Sequence, residues 1–349
     1  MKLLNKSIFW FCNLQLLYIW WVVYYKFSIT HSLSILKMFI FILLIVLSST
    51  YLSLLERHIV ALVQQRVGPT VTGLGLLQPL ADAFKLLTKE PTRPYKSFIF
   101  LFRTAPIYTF AVAITIWSCI PLSNHCILVN LQYNIIFILT LLTFNNYGII
   151  FGAWASQNKY ALFSAYRTIA LTSSYGISLS LIFWYPSALA HSFNIFNIIE
   201  MQNITCWFII PGFMISILYW LILLTEVKKI PFDVTESEAE LGSGYLVEYS
   251  GMGFALYIIS EYCYILILNI LFIHCFLGGW LLPFYTTDSN ILYAVALIFK
   301  LFITLFSYLL IRSSLPNYRF DYIMSLHWKN IFPLTLILTV FSTFISTTL

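Results

Sequence analysis

Six carboxylates crowd one short stretch. Residues 225–249, TEVKKIPFDVTESEAELGSGYLVEY, hold Glu226, Asp233, Glu236, Glu238, Glu240 and Glu248, nearly half of the thirteen acidic residues in a chain that is only 9% charged. Two chemistries fit this spacing. In the plainer one, Pro231 stops a preceding helix. Asp233 and Glu236 then form a capping pair that starts a short helix, Gly242 and Gly244 end it, and the acids keep a loop in water. In the other, Asp233, Glu236 and Glu240 share one helical face, because spacings of three and four bring side chains together, while Glu238 points elsewhere. Their mutual repulsion raises some pKa values, so that protons are held and passed near neutral pH. Lys228 and Lys229, the two lysines of the stretch, cannot neutralise six acids.

Other ionisable residues stand inside apolar runs. Glu261, Lys300 and Arg167 are costly in hydrocarbon, so each should face the interior of a helix bundle with a partner. Residues 53–91, SLLERHIVALVQQRVGPTVTGLGLLQPLADAFKLLTKEP, close one apolar run with Glu56-Arg57 and continue through a Gly/Pro-rich turn. They then read as an amphipathic surface helix, with Leu80, Phe84 and Leu87 on one side and Asp82, Lys85 and Lys89 on others. A glycine-rich loop beside such a helix suits packing, or the mouth of a lateral opening for a lipid-soluble substrate. It is no phosphate loop, because no G-K-[ST] is present. Residues 311–330, IRSSLPNYRFDYIMSLHWKN, make a basic and aromatic connection with Arg312, Arg319, Asp321 and Trp328.

These groups need a scaffold, and composition says which. The chain has 349 residues, is 60% hydrophobic and has a mean hydropathy of +0.87. That places it among integral membrane proteins. The expected fold is an all-α polytopic bundle of eight spans at residues 35–55, 105–122, 133–155, 160–185, 204–224, 252–276, 291–311 and 331–349. Residues 1–34 form an extension with an extra apolar helix at 8–25. The charged connections 56–104, 225–251 and 312–330, with Lys159 in a short one, lie on one face. The second, fourth and sixth connections hold no Lys or Arg, so the positive-inside rule puts the basic face in the cytoplasm or matrix. The net charge of +6 is too small to suggest nucleic acid. Six scattered cysteines without a C-x-x-C pair, and histidines that never fall four apart on one helix, support neither a disulfide framework nor a metal or haem core.

Several stretches resemble one family in collinear order: ERHIVALVQQRVGP, GLLQPLADAFKLLTKEP, KYALFSAYRTIA, IPFDVTESEAELGSGYLVEYSG, FALYIISEY and YRFDYIMSLHWKNIFPLTL. They are similar to subunit 1 of respiratory complex I, the proton-pumping NADH:ubiquinone oxidoreductase. The likeness runs from about residue 35 to residue 349. It implies a subunit with no redox centre of its own, FMN and iron–sulfur clusters lying in partner subunits. It also implies a chamber for ubiquinone, formed with peripheral-arm subunits, and contacts to the other membrane subunits. By motif match, Arg57, Phe254, Arg312, Arg319 and Asp82 would line or flank the quinone passage. Glu226, Asp233, Glu236, Glu238, Glu240, Glu248 and Glu261, with Tyr262, would form an acidic link to the membrane axis, and Lys300 matches a lysine of the seventh span. The resemblance, with the Phe-, Ile-, Tyr- and Leu-rich composition, points to the mitochondrial inner membrane ahead of a bacterial plasma membrane. Three features depart from the family: Ser174-Tyr175-Gly176 where relatives commonly read S-Y-E, Lys228-Lys229 where N-R is usual, and the long N-terminus. The competing readings are the homologous subunit of a membrane-bound hydrogenase and a free-standing ion transporter. Against the transporter, the charges crowd one face and no inverted repeat is visible.

Overall fold

The computed structural model describes residues 31–123, 127–235, 241–282 and 290–348. The apolar run at 8–25, the segment 236–240 with Glu236, Glu238 and Glu240, and the short helix expected there lie outside the described residues. Every regular element among the described residues is helical: α1 (His31–Val63), α2 (Gln78–Thr88), α3 (Ile99–Cys119), α4 (Asn134–Ser156), α5 (Lys159–Leu189), α6 (Ile195–Ile204), α7 (Phe213–Glu226), α8 (Gly251–Phe276), α9 (Asn290–Ser314), α10 (Phe320–Leu326) and α11 (Phe332–Thr348). Helices answer the composition directly, because hydrocarbon offers no partner for backbone N–H and C=O groups and a helix satisfies its own. The chain forms two compact units, Met1–Leu47 and Ser48–Leu349. The described part of the first is the opening half of α1.

Six helical stretches are long and apolar enough to cross a bilayer: Met38–Val63, Ile99–Cys119, Asn134–Ser156, Gly251–Phe276, Leu292–Ser314 and Phe320–Phe344. Hydropathy along the sequence leads one to expect eight. The fourth expected span falls on α5, whose 31 residues are ample in length, but it carries Lys159, Arg167 and a run of Ser and Thr. The fifth falls on α7, which has only 14 residues, about 21 Å of helix at 1.5 Å per residue. It starts after Pro211-Gly212 and stops at Glu226, well before the Pro231 expected to end it, with Lys228 in the left-handed region at φ 58°. The last connection is also shorter than 312–330. Helix α9 runs on to Ser314, and from Phe320 the chain is helical again through a π-turn at His327–Ile331.

Within the second unit, α3 packs on α4 and α8, α4 on α5, and α5 on α7 and α11, while α8 also meets α2, α6 and α9. Helix α8 is the axis of this arrangement, and from Cys263 to Phe276 every residue is buried. Close approach at Gly152 fixes the α4–α8 contact: a Cβ there would lie 2.3 Å from Tyr257 Oη and 2.8 Å from Tyr249 Oη. Both rings are tied down, Tyr249 stacking on Phe102 at 4.2 Å and Tyr257 donating to Gly148 O at 3.1 Å.

Candidate functional site

Four charged side chains, Glu56, Lys229, Glu261 and Arg312, gather near the first turns of α8, at the end that meets the 225–251 connection. Glu261, nearly three turns into α8, pairs with Lys229 at 2.6 Å and accepts a hydrogen bond from the Tyr245 hydroxyl. One residue on, Tyr262 donates to Glu56 of α1 at 3.0 Å. Glu56 in turn pairs with Arg312, from the last turn of α9, at 2.5 Å. Two largely buried ion pairs, each with a phenol, therefore meet at neighbouring residues of α8, Glu261 belonging to one pair and Tyr262 supplying the phenol of the other. All four charged side chains are at most 15% exposed. Burying such pairs is costly, and they persist only where geometry and extra hydrogen bonds compensate. Here the tyrosines supply those bonds.

The connection that delivers Lys229 and Tyr245 is held at many points. Lys228 is buried and donates to Asn146 Oδ1 of α4 at 2.7 Å. Glu248 accepts from Asn158 at 2.7 Å, and the Tyr318 amide donates to Pro231 O at 3.0 Å. Arg167 reaches Val234 O at 3.4 Å and lies over the Phe320 ring at 5.9 Å. Asp233 is half-buried in this connection. Gly244, at φ 59°, lets it turn: a Cβ there would lie 1.8 Å from Thr235 O, a backbone atom that cannot swing away. Gly244→Ala should therefore displace Tyr245 from Glu261. A loss on the order of 1–3 kcal/mol is expected from overpacking and the positive φ, read as a lower thermal midpoint of the assembled complex.

Glu226 closes α7 and lines two cavities. The first, about 340 Å³, is walled by α4 and α5 and contains Asn146, Thr172, Gly176 and Ser180 among apolar residues. The second, about 30 Å³, also contains Lys228, Tyr245 and Glu261. Gly176 has nothing within 4 Å of where its Cβ would be, and it lines the same cavity as Glu226.

A second group lies at the surface end of α1. Arg57 pairs with Asp82 of α2 at 3.0 Å, the two side chains 52% and 36% exposed. Beside them α2 shows its apolar side outward, with Leu80, Phe84 and Leu87 all exposed, as the amphipathic pattern requires. Phe254 stands half-buried in the first turn of α8. Arg319 pairs with Asp321 at 3.5 Å in full view of solvent.

Lys300, another site residue from the sequence, stands apart and does not join the acidic group. Its Nζ donates to the carbonyls of Leu277, Gly279 and Leu281 at 2.6, 2.9 and 2.6 Å and sits over Trp207 at 4.4 Å. That caps the C-terminal end of α8, about 24 Å along the helix from Glu261 by helical rise, where a cation is favoured by the helix dipole. Sequence reasoning also missed partners: Glu56 for Arg312, Lys229 and Tyr245 for Glu261, and Asn146 for Lys228. The Glu56-Arg57 pair within ERHIVALVQQRVGP was a visible signal. The phenol and amide were not.

Among the described residues no cluster of His, Cys, Asp and Glu is arranged to hold a metal ion. The model of the family described as NADH dehydrogenase matches residues 36–343. The chain belongs to the NADH dehydrogenase family. It is 40% identical over 307 residues to NADH-ubiquinone oxidoreductase chain 1 of Chondrus crispus, covering 86% of this chain and 93% of that one. To the chain 1 protein of Arabidopsis thaliana it is 39% identical over 301 residues, 84% and 91% of the two chains. To a subunit of the NADH-quinone oxidoreductase of Rickettsia typhi it is 37% identical over 317 residues, 90% and 94%. The chain is a multi-pass membrane subunit of this class of oxidoreductase.

Proposed function

We propose that this chain forms the membrane-embedded part of the ubiquinone chamber of a proton-translocating NADH:quinone oxidoreductase, and links quinone reduction to proton movement. The observation that carries this is the pair of tyrosine-supported ion pairs, Lys229–Glu261–Tyr245 and Arg312–Glu56–Tyr262, which meet at the neighbouring residues Glu261 and Tyr262 of α8. Reducing a quinone to a quinol consumes two electrons and two protons. A substrate that changes charge and takes up protons beside these pairs shifts their balance, and the groups that share them respond as a unit. Arg57, Asp82, Phe254 and the exposed apolar side of α2 give a lipid-soluble quinone its way in. Arg312 and Arg319 flank the same end. Glu226, Asp233 and Glu248, continued by Glu236, Glu238 and Glu240, carry the charge change from chamber toward the membrane axis, and Lys300 marks the farther end of α8. FMN and iron–sulfur clusters belong to partner subunits, which include the peripheral-arm proteins that complete the quinone site. The mitochondrial inner membrane is the proposed location.

The cavity supports the coupling role, because Glu226 and Gly176 both line it and α5 carries no acid of its own. Filling it tests this. Gly176→Leu should lower the ratio of protons moved to NADH oxidised several-fold, while uncoupled NADH:quinone reductase activity holds. The measurement is proton uptake by proteoliposomes containing the intact complex. An unchanged ratio would remove Glu226 from the path.

A further inference from the structure

The end of α8 farthest from the acidic connection holds a histidine that the proposed function does not use. His274 is fully buried. Its Nδ1 lies 2.6 Å from Ile270 O, one turn back on the same helix, and its Nε2 lies 2.7 Å from Pro121 O, on the connection that follows α3. A carbonyl oxygen accepts hydrogen bonds and cannot donate them, and a neutral imidazole has one N–H. The neutral ring therefore satisfies one of these oxygens and turns a lone pair on the other. Only an imidazolium donates to both. We infer that His274 is a proton-binding site, unconnected with the acidic group, whose loading ties α8 to the end of α3.

The local bond within α8 assigns the first proton to Nδ1, donated to Ile270 O. The second proton, taken from water at this face, adds to the Nε2 lone pair and is donated to Pro121 O. Its release returns that lone pair and breaks the tie between the two elements. No electron moves and no other bond changes.

The surroundings set a contest over the second proton. The carbonyl-rich C-terminal end of α8 attracts positive charge. Burial resists it. From α9 comes a like charge, Lys300, which bonds Leu277, Gly279 and Leu281 on the same segment. From α6 comes a neutral group, Gln202, which donates to the carbonyls of His274 and, at 3.3 Å, Cys275. Trp280 faces the imidazole edge-on at 5.9 Å. Lys300 is the ionisable side chain whose field reaches the ring among the described residues. His125 and Asp288 lie outside the described residues. These forces act in opposite directions, and what favours the second proton is the pair of carbonyl oxygens 2.6 and 2.7 Å from the two ring nitrogens.

The test uses the intact complex, labelled with ¹⁵N-histidine and compared with a His274→Asn version by solid-state NMR, at about pH 6 and about pH 9, either side of the ordinary imidazole range. The spectrum at the lower pH should contain a ring with both nitrogens protonated that the variant lacks, and that signal should become neutral at the higher pH. A variant that loses only a neutral ring at both pH values would overturn the inference. Should His274→Asn not assemble, the unsubstituted complex decides. A doubly protonated ring with slow hydrogen exchange that titrates between the two pH values supports the site, and its absence refutes it. Because the readout is a protonation state, failure of the quinone-chamber proposal would leave the result unaffected.

Discussion

Replacing Glu261 with Gln is expected to lower NADH-driven proton translocation on the order of 10²-fold, the scale on which positioned proton-transfer groups contribute. Two effects are expected, and a second substitution separates them. Removing the carboxylate takes from Lys229, 12% exposed, its ion pair with Glu261. Breaking a buried pair from one side costs about 3–5 kcal/mol, whereas replacing both members with apolar groups of similar volume is often neutral. Glu261→Gln alone should therefore assemble poorly and turn over slowly. The double variant Lys229→Met, Glu261→Gln should regain thermal stability without regaining proton translocation. Residues in contact give such non-additive results. If the double variant recovered both, Glu261 would be a structural partner only, and its place in the coupling path would fall.

The second large effect is at the other pair. Arg312→Leu strands Glu56, which is 14% exposed, and leaves it the Tyr262 hydroxyl as a hydrogen-bond donor. A loss of about 3–5 kcal/mol is expected, seen as reduced accumulation of the complex on native gels and an earlier thermal transition. Tyr262→Phe removes one hydrogen bond from the same carboxylate and should cost only about 1 kcal/mol. Arg57 makes the contrasting case. Its pair with Asp82 is half exposed, so Arg57→Ala should change stability by no more than ~1 kcal/mol, as exposed pairs do. Its effect should show in quinone KM. Equal destabilisation by Arg57→Ala and Arg312→Leu would contradict the dependence on burial.

These two pairs also show what a single sequence reveals and what it hides. The helical fold was legible, because hydropathy is a property of local composition. The acidic stretch, Arg57, Asp82 and Glu261 were legible because charge in an apolar chain stands out. Pairing was not. Glu56 and Arg312 meet across more than 250 positions of chain, and nothing in either neighbourhood names the other. Tyr245 reads as one aromatic among many until its hydroxyl meets Glu261. The shortness of α7 was hidden as well. Its flanking sequence is apolar enough to pass for a longer span, and the break at Pro211-Gly212 was outweighed by hydropathy. The connection expected at 312–330 misled for the opposite reason. Its aromatic and basic residues read as a loop, while the backbone is helical from Phe320, with a π-turn seating His327 2.8 Å from Ser178 and the Tyr175 ring 4.4 Å away.

The proposed function stands or falls on whether quinone occupies space lined by this chain. That is measured by photo-crosslinking the intact complex with a ubiquinone analogue bearing a photoreactive ring, followed by peptide mapping. Label is predicted on peptides containing Arg57, Asp82, Phe254 or Arg312, suppressed by excess ubiquinone. Label that is competed by ubiquinone yet found on other subunits alone, with none on this chain, would contradict it.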